Sequence, residues 1–104
     1  LSSLVISAAA AQARTIDAVP VLTFDGTTAN CSVSITALGK SITATLELWR
    51  SDTLMDSWSD SATSRLIIDE DCKVTPGQTY TLKVNGTIGG VPFTGTPITG
   101  TCPK

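Results

Sequence analysis

The sequence predicts an all-β domain, a two-sheet sandwich of about seven antiparallel strands. Three observations predict it. Apolar and polar side chains alternate with a period of two through most of the chain. Turn signals recur at intervals of about ten residues. No run of ten or more residues has a helical period. Composition agrees: charged residues are only 15% of the 104, and Thr and Ser replace them. β-Branched residues suit a pleated, half-exposed surface.

The elements follow in order. Strand A runs from Val19 to Phe24 and closes at Asp25-Gly26. Strand B runs from Cys31 to Ala37, with Cys31, Val33, Ile35 and Ala37 on one face. Gly39-Lys40 is expected to turn the chain. Strand C covers Ser41 to Arg50, with Ile42, Ala44, Leu46 and Leu48 inward and Trp49 on the outward parity. Ser51 to Ser64 is polar and less regular, and Leu54, Met55 and Trp58 suggest a short edge strand there. Strand E spans Arg65 to Val74. Strand F starts at Thr79, with Tyr80, Leu82 and Val84 inward, and Gly89-Gly90 makes a hairpin. Strand G covers Val91 to Cys102, interrupted by Pro92 and Pro97, which places it at an edge or a bulge. The organisation is thus an apolar segment at 1–18 followed by one domain at 19–104.

The stretch Val74-Thr-Pro-Gly-Gln-Thr-Tyr80-Thr-Leu82-Lys-Val84 resembles the E–F corner of fibronectin type III domains. There a Pro-Gly turn precedes a Tyr and an alternating strand. The resemblance implies an Ig-like or fibronectin type III-like sandwich in which Tyr80 is the corner tyrosine, its hydroxyl bonded back to the corner backbone. The wider pattern is Cys31 opening strand B, Trp58-Ser59 in mid-chain and Cys102-Pro103 near the end. It resembles short secreted bacterial proteins of the Firmicutes whose activity is undefined. Fibronectin domains generally lack the cysteines, and their inward strand-B Trp has no counterpart here.

The three cysteines, Cys31, Cys72 and Cys102, favour one disulfide and one remaining thiol in an exported chain. In a seven-strand sandwich all three lie towards one pole. Cys31–Cys72 joins adjacent strands with the least rearrangement. Cys31–Cys102 would join the two sheets and stays open. The odd thiol is either buried and free or a cross-link to a second subunit.

Leu1–Ala13 reads LSSLVISAAAAQA, and it has two readings. Its apolar run and Ala11-Gln12-Ala13 fit the back half of a secretory signal peptide. Alternatively it is a donor strand, with Leu4, Ile6, Ala8 and Ala10 on one face and Val5 on the other, that adds to a neighbouring subunit. Either reading puts the protein outside the cell. The run is too short to span a bilayer as a helix.

The chain has no His. That removes Ser/His/Asp and Cys/His catalysis and the commonest catalytic metal ligand. No enzyme activity, cofactor or metal is expected. Net charge is −2 without a basic stripe, which argues against a nucleic-acid partner. Asp69-Glu70-Asp71 reads better as a solvated strand end than as a calcium loop. Asn30-Cys31-Ser32 and Asn85-Gly86-Thr87 match the glycosylation sequon, and chance explains both better. Trp49 and Trp58 suit sugar stacking or protein contact. For Trp49 the competing reading is cover by the 51–64 segment. The expected function is an extracellular, cell-surface structural subunit that self-associates into a filament through its N-terminal strand. The alternative is a monomeric secreted module that binds a glycan or protein.

Overall fold

The computed structural model describes residues 18–104. The segment read as a signal remnant or donor strand, residues 1–13, therefore lies outside the described residues. The rest is all-β. Six strands, β1 Val21–Asp25, β2 Thr28–Arg50, β3 Thr53–Lys73, β4 Thr79–Ile88, β5 Val91–Thr94 and β6 Ile98–Thr101, form one antiparallel sheet. Among the described residues there is no helix, so none is long and apolar enough to cross a membrane.

β2 organises the sheet. β3 lies along one of its edges from Thr28↔Lys73 to Arg50↔Thr53. The other edge is shared. Its first part pairs with β1 (Val21↔Ser32 to Asp25↔Thr28) and its second with β4 (Ile42↔Ile88 to Trp49↔Thr81). β4 in turn holds β5 beside its C-terminal end and β6 beside its N-terminal end. The sheet curls, so Phe24 on β1 meets Tyr80 on β4 with ring centroids 6.1 Å apart and tilted by 46°.

The expected turn at Gly39-Lys40 is instead a bulge within a continuous strand. Pairing jumps from Ala37↔Ser64 to Ser41↔Thr63, so Leu38, Gly39 and Lys40 have no partner on β3. An odd number of extra residues reverses side-chain parity. That reversal keeps Ala29, Cys31, Val33 and Ile35 on the same buried side as Ile42, Ala44, Leu46 and Leu48. Backbone conformation permits the corner. Gly39 has φ 75° and Ser64 has φ 72°, and the Gly39 amide donates to Ser64 Oγ at 2.9 Å. Leu38 is left 83% exposed at the tip.

Two further expectations are corrected. After the Ser51-Asp52 turn, the 51–64 segment is an edge strand as expected but a long one, the first half of β3, paired with β2 except at a second bulge at Met55. Strand G is two strands, split between Pro92 and Pro97, that hold opposite ends of β4. Proline cannot donate to a ladder, and the break leaves β5 and β6 only four residues each.

The hairpin chemistry is local. Gly89 and Gly90 have φ 57° and 83°, the two positive values a type I′ turn requires. Thr75-Pro76-Gly77-Gln78 closes with Gln78 N donating to Thr75 O at 3.2 Å. Pro at the second position and Gly77 with φ 88° at the third make it a type II turn. Beyond it, Tyr80 is fully buried. Its hydroxyl accepts a 2.8 Å hydrogen bond from the Thr75 amide, so the corner is tied to the core. β4 also runs so close to β2 at Gly86 that a Cβ there would strike the Thr43 carbonyl oxygen.

Removing that hydroxyl orphans a backbone donor. Tyr80→Phe should lower stability by about 1–2 kcal/mol, read as a reduced denaturant midpoint with an unchanged slope. An unchanged midpoint would show that the corner bond contributes nothing.

Candidate functional site

Three places were singled out by sequence: the cysteines, the tryptophans and the acidic run. The structure brings two of them together: the acidic run lies beside Cys31 and Cys72 on the β2–β3 ladder. Cys31 on β2 pairs with Glu70, and Ala29 pairs with Cys72. The two cysteines are therefore diagonal neighbours on one face of the β2–β3 ladder. Cys31 is buried, Cys72 partly exposed, and both are free thiols. Cys102 is buried at the same end of the sheet, beside the β1–β2 turn, where its Sγ lies 3.4 Å from the Gly26 carbonyl oxygen. It too is a free thiol.

Burial pushes the Cys31 thiol up to about 12, with Cys72, Asp71 and Asp56 adding to it. The same causes, burial first and then Asp56, raise Cys72. A thiolate is the reactive form, so this is a quiet pair rather than a nucleophile.

The acidic run points outward except for Glu70. Asn30, which sequence reading had considered only as a sequon, donates its side-chain amide to Asp69 Oδ1 at 2.7 Å and to Asp71 Oδ1 at 3.0 Å. Those bonds span the β2–β3 ladder and hold the two carboxylates on one donor. Among the described residues no three His, Cys, Asp or Glu side chains gather as a metal would need.

Trp49 is half-buried. Its indole N–H donates to Glu47 Oε1 at 3.0 Å, and Lys83 Nζ sits 4.9 Å from its ring centroid. Lys83 on β4 thus covers one ring face, and Leu54 of the 51–64 segment is the direct cross-strand neighbour of Trp49. A cation over the ring face is favourable, and it occupies the surface a sugar would use. Trp58, opposite Leu46 on β3, is half-buried against the core.

Among the described residues, open clefts accompany these features. One, of about 390 Å³, is bounded by Lys83, Asn85, Phe93 and Pro97. Another, of about 460 Å³, lies over Thr43, Thr45, Ser59 and Asp60. Each has one ionisable side chain, Lys83 or Asp60, so neither contains an acid–base pair.

Sequence reading missed the longest feature on the surface. β3 has 21 residues, and β2 is its only neighbour among the described residues. No described residue pairs with its other edge, and the strand contains no Pro. The remaining margins are the four-residue β5 and β6 and the five-residue β1. The signal was available in the Ser-Trp-Ser-Asp-Ser-Ala-Thr run at 57–63, which alternates but has no proline to blunt it.

Thiol reactivity tests the site directly. At pH 8 iodoacetamide should modify Cys72 at least tenfold faster than Cys31 in the folded chain. The raised Cys31 value also has a stability consequence. Above pH 9 the unfolded thiol ionises and the folded one does not, so stability present below pH 9 is lost as pH rises towards 12. The denaturant midpoint of the reduced chain should fall more steeply between pH 8 and 10.5 than that of Cys31→Ala. Equal slopes would contradict the burial account.

Comparison with protein-family models, with curated proteins and with solved structures finds no match to this chain.

Proposed function

We propose that this chain is a non-catalytic, extracellular structural subunit whose copies join into a filament by strand addition. The observation that carries the reading is the open edge of β3. Soluble proteins blunt sheet edges with short strands, prolines or charges because an unpaired edge templates association. A strand of 21 residues with no described partner along one whole side suits the addition of another strand.

Other features support the same reading. The quiet thiols and the lack of any acid–base pair in the clefts weigh against chemistry. Trp49 has its N–H bonded and one ring face covered, which weighs against the glycan-binding alternative. Export rests on the Leu1–Ala13 pattern. The curled sheet is read as an Ig-like or fibronectin type III-like sandwich. In support, β1, the first part of β2 and the last part of β3 would form one layer. The remainder of β2 and β3 with β4, β5 and β6 would form the other. The Tyr80 corner fits that assignment. In an oxidising compartment Cys31–Cys72 is the pair nearest to bridging, leaving Cys102 as the odd thiol.

Negative-stain electron microscopy of the purified full chain tests the reading. Filaments are expected, and deletion of residues 1–13 should abolish them while leaving the circular dichroism of the domain intact. A full chain that stays monomeric at high concentration overturns the filament and favours a monomeric binding module.

A further inference from the structure

The side chains of β3 show which backbone groups face the open edge. The Ser57 amide donates to Asp56 Oδ1 at 2.8 Å, and the Ser61 amide to Asp60 Oδ1 at 2.8 Å. An amide satisfied by its neighbour's carboxylate is turned away from the β2 ladder. Cross-strand geometry agrees. Thr45 and Ser59 are directly opposite, and their hydroxyls are 2.8 Å apart. On β2 the Ser41 carbonyl accepts from the Gly89 amide at 2.7 Å, so by alternation Thr43 and Thr45 also aim their backbone groups at β4, and Thr45↔Ser59 is a non-hydrogen-bonded pair of the β2–β3 ladder. Backbone direction alternates, so Ser57, Ser59 and Ser61 all present their N–H groups to the open side. Two of the three are occupied by aspartates, and among the described residues no such contact holds Ser59.

The inner face at this edge is also incompletely covered. Asp56, Trp58, Asp60 and Ala62 stand opposite Leu48, Leu46, Ala44 and Ile42 of the core. Asp56 and Asp60 are exposed, and Trp58 and Ala62 are half-buried. A strand laid beside 57–63 would pair the free backbone and shelter Trp58 and Ala62.

The start of the described chain identifies what supplies that strand. Ala18 is fully buried, and its carbonyl oxygen fills the place a side chain on Gly95 would take, next to Val84. The described chain therefore begins at the β4–β5 side of the sheet. The open edge is at the opposite side, with β2 and β4 between. Its own preceding segment would reach that edge only by a path across the sheet, whereas a second copy supplies the same segment from outside.

We infer that residues 1–13 of one copy pair with the 57–63 edge of β3 in the next, and that Asp56 and Asp60 act as guards on that edge. This deepens the filament reading and rests on it. Donor and acceptor lie on opposite margins of one sheet, so the contact is head-to-tail and repeats from copy to copy. Reach is sufficient. The 57–63 edge is about 20 Å long, whereas residues 1–17 extend to about 55 Å. Charge is compatible as well: residues 1–16 contain no Asp or Glu and one cation, Arg14, against the two guards.

The guards are displaced, not consumed. An incoming carbonyl takes over the Ser57 and Ser61 amides, and the carboxylates return to water. The caps therefore slow association without forbidding it, and Ser59 offers the first uncontested donor.

Assembly of the full-length chain, followed by light scattering, tests this with three variants. Ser59→Pro removes an edge N–H and spares the β2 ladder. It should cut the assembly rate at least tenfold while keeping the far-ultraviolet spectrum and melting temperature of a folded monomer. Asp56→Ala/Asp60→Ala should assemble about tenfold faster than wild type. Asp56→Asn/Asp60→Asn, which keeps an acceptor oxygen at both caps, should stay near the wild-type rate. Hydrogen exchange on the unmodified chain adds a readout free of folding defects: the amides of Ser57, Ser59 and Ser61 should gain protection on assembly. Filaments that form with those amides unprotected, or with Ser59→Pro at the wild-type rate, place the acceptor elsewhere and leave the filament reading standing. Equal rates for the Ala and Asn pairs overturn the guards alone. A wild-type chain that never assembles overturns the filament reading and this inference together.

Discussion

The fold depends on one local irregularity, the three-residue bulge at Leu38–Lys40. β2 has two apolar runs whose parity is opposite, odd from Ala29 to Ile35 and even from Ile42 to Leu48. A regular strand would bury one run and expose the other. The bulge absorbs the mismatch, and both runs become core. β3 has to follow, which is why Ser64 takes a left-handed backbone that a non-glycine residue rarely adopts. Its hydroxyl accepts the Gly39 amide at 2.9 Å, so the strained residue also satisfies the corner. The two longest strands can then continue across a corner where a sandwich usually places loops.

That continuity explains how so lightly charged a chain keeps an ordered surface. On the outer face, hydroxyls pair across the strands: Thr43 with Thr87 at 2.6 Å, Thr79 with Thr101 at 2.9 Å and Thr81 with Thr99 at 3.1 Å. Such cross-strand pairs are worth about 0.2–1 kcal/mol each. They fix register where salt bridges are scarce, and they run over β2, β4 and β6 in turn. β3 receives only the Thr45–Ser59 member at its paired side. Beyond Ser59 the hydroxyl pattern has no further strand to meet.

How far the sequence could foresee this depended on the range of the interaction. The alternation in β2 and β4, the Gly89-Gly90 hairpin and the Pro76-Gly77 corner with Tyr80 are set by neighbours within a few residues, and they were legible. Gly39-Lys40 was legible as an irregularity but not as a bulge, because turn and bulge use the same glycine. The distinction rests on Ser64, far away in sequence. The 51–64 stretch looked irregular because Asp56 and Asp60 occupy inward positions beside an uncovered margin, where burial no longer enforces alternation. Asn30 was unreadable as a structural residue, since its partners Asp69 and Asp71 come from another strand. The open edge was hidden for a related reason. Sequence pattern reports which side chains are buried, but not which backbone groups lack a partner.

The same backbone that builds the core therefore creates the hazard at its margin. β3 must be long, because it is the sole partner of β2 along that edge. Length gives it a matching row of unpaired groups on the other side. Proline would blunt the row, but Pro is disfavoured wherever the alternate N–H groups must reach β2. An inward lysine would be stronger protection, at the expense of burial for Leu46 and Leu48. Aspartate followed by serine is the milder solution. The short carboxylate bends to its neighbour's amide without disturbing the ladder, and it satisfies that amide reversibly. Repetition of the pair at Asp56-Ser57 and Asp60-Ser61, four residues apart on one face, turns the same device into two caps along a single edge. An edge meant only to be avoided would be expected to cap Ser59 as well; leaving that amide between two guarded ones is the arrangement of an edge that is held back rather than closed.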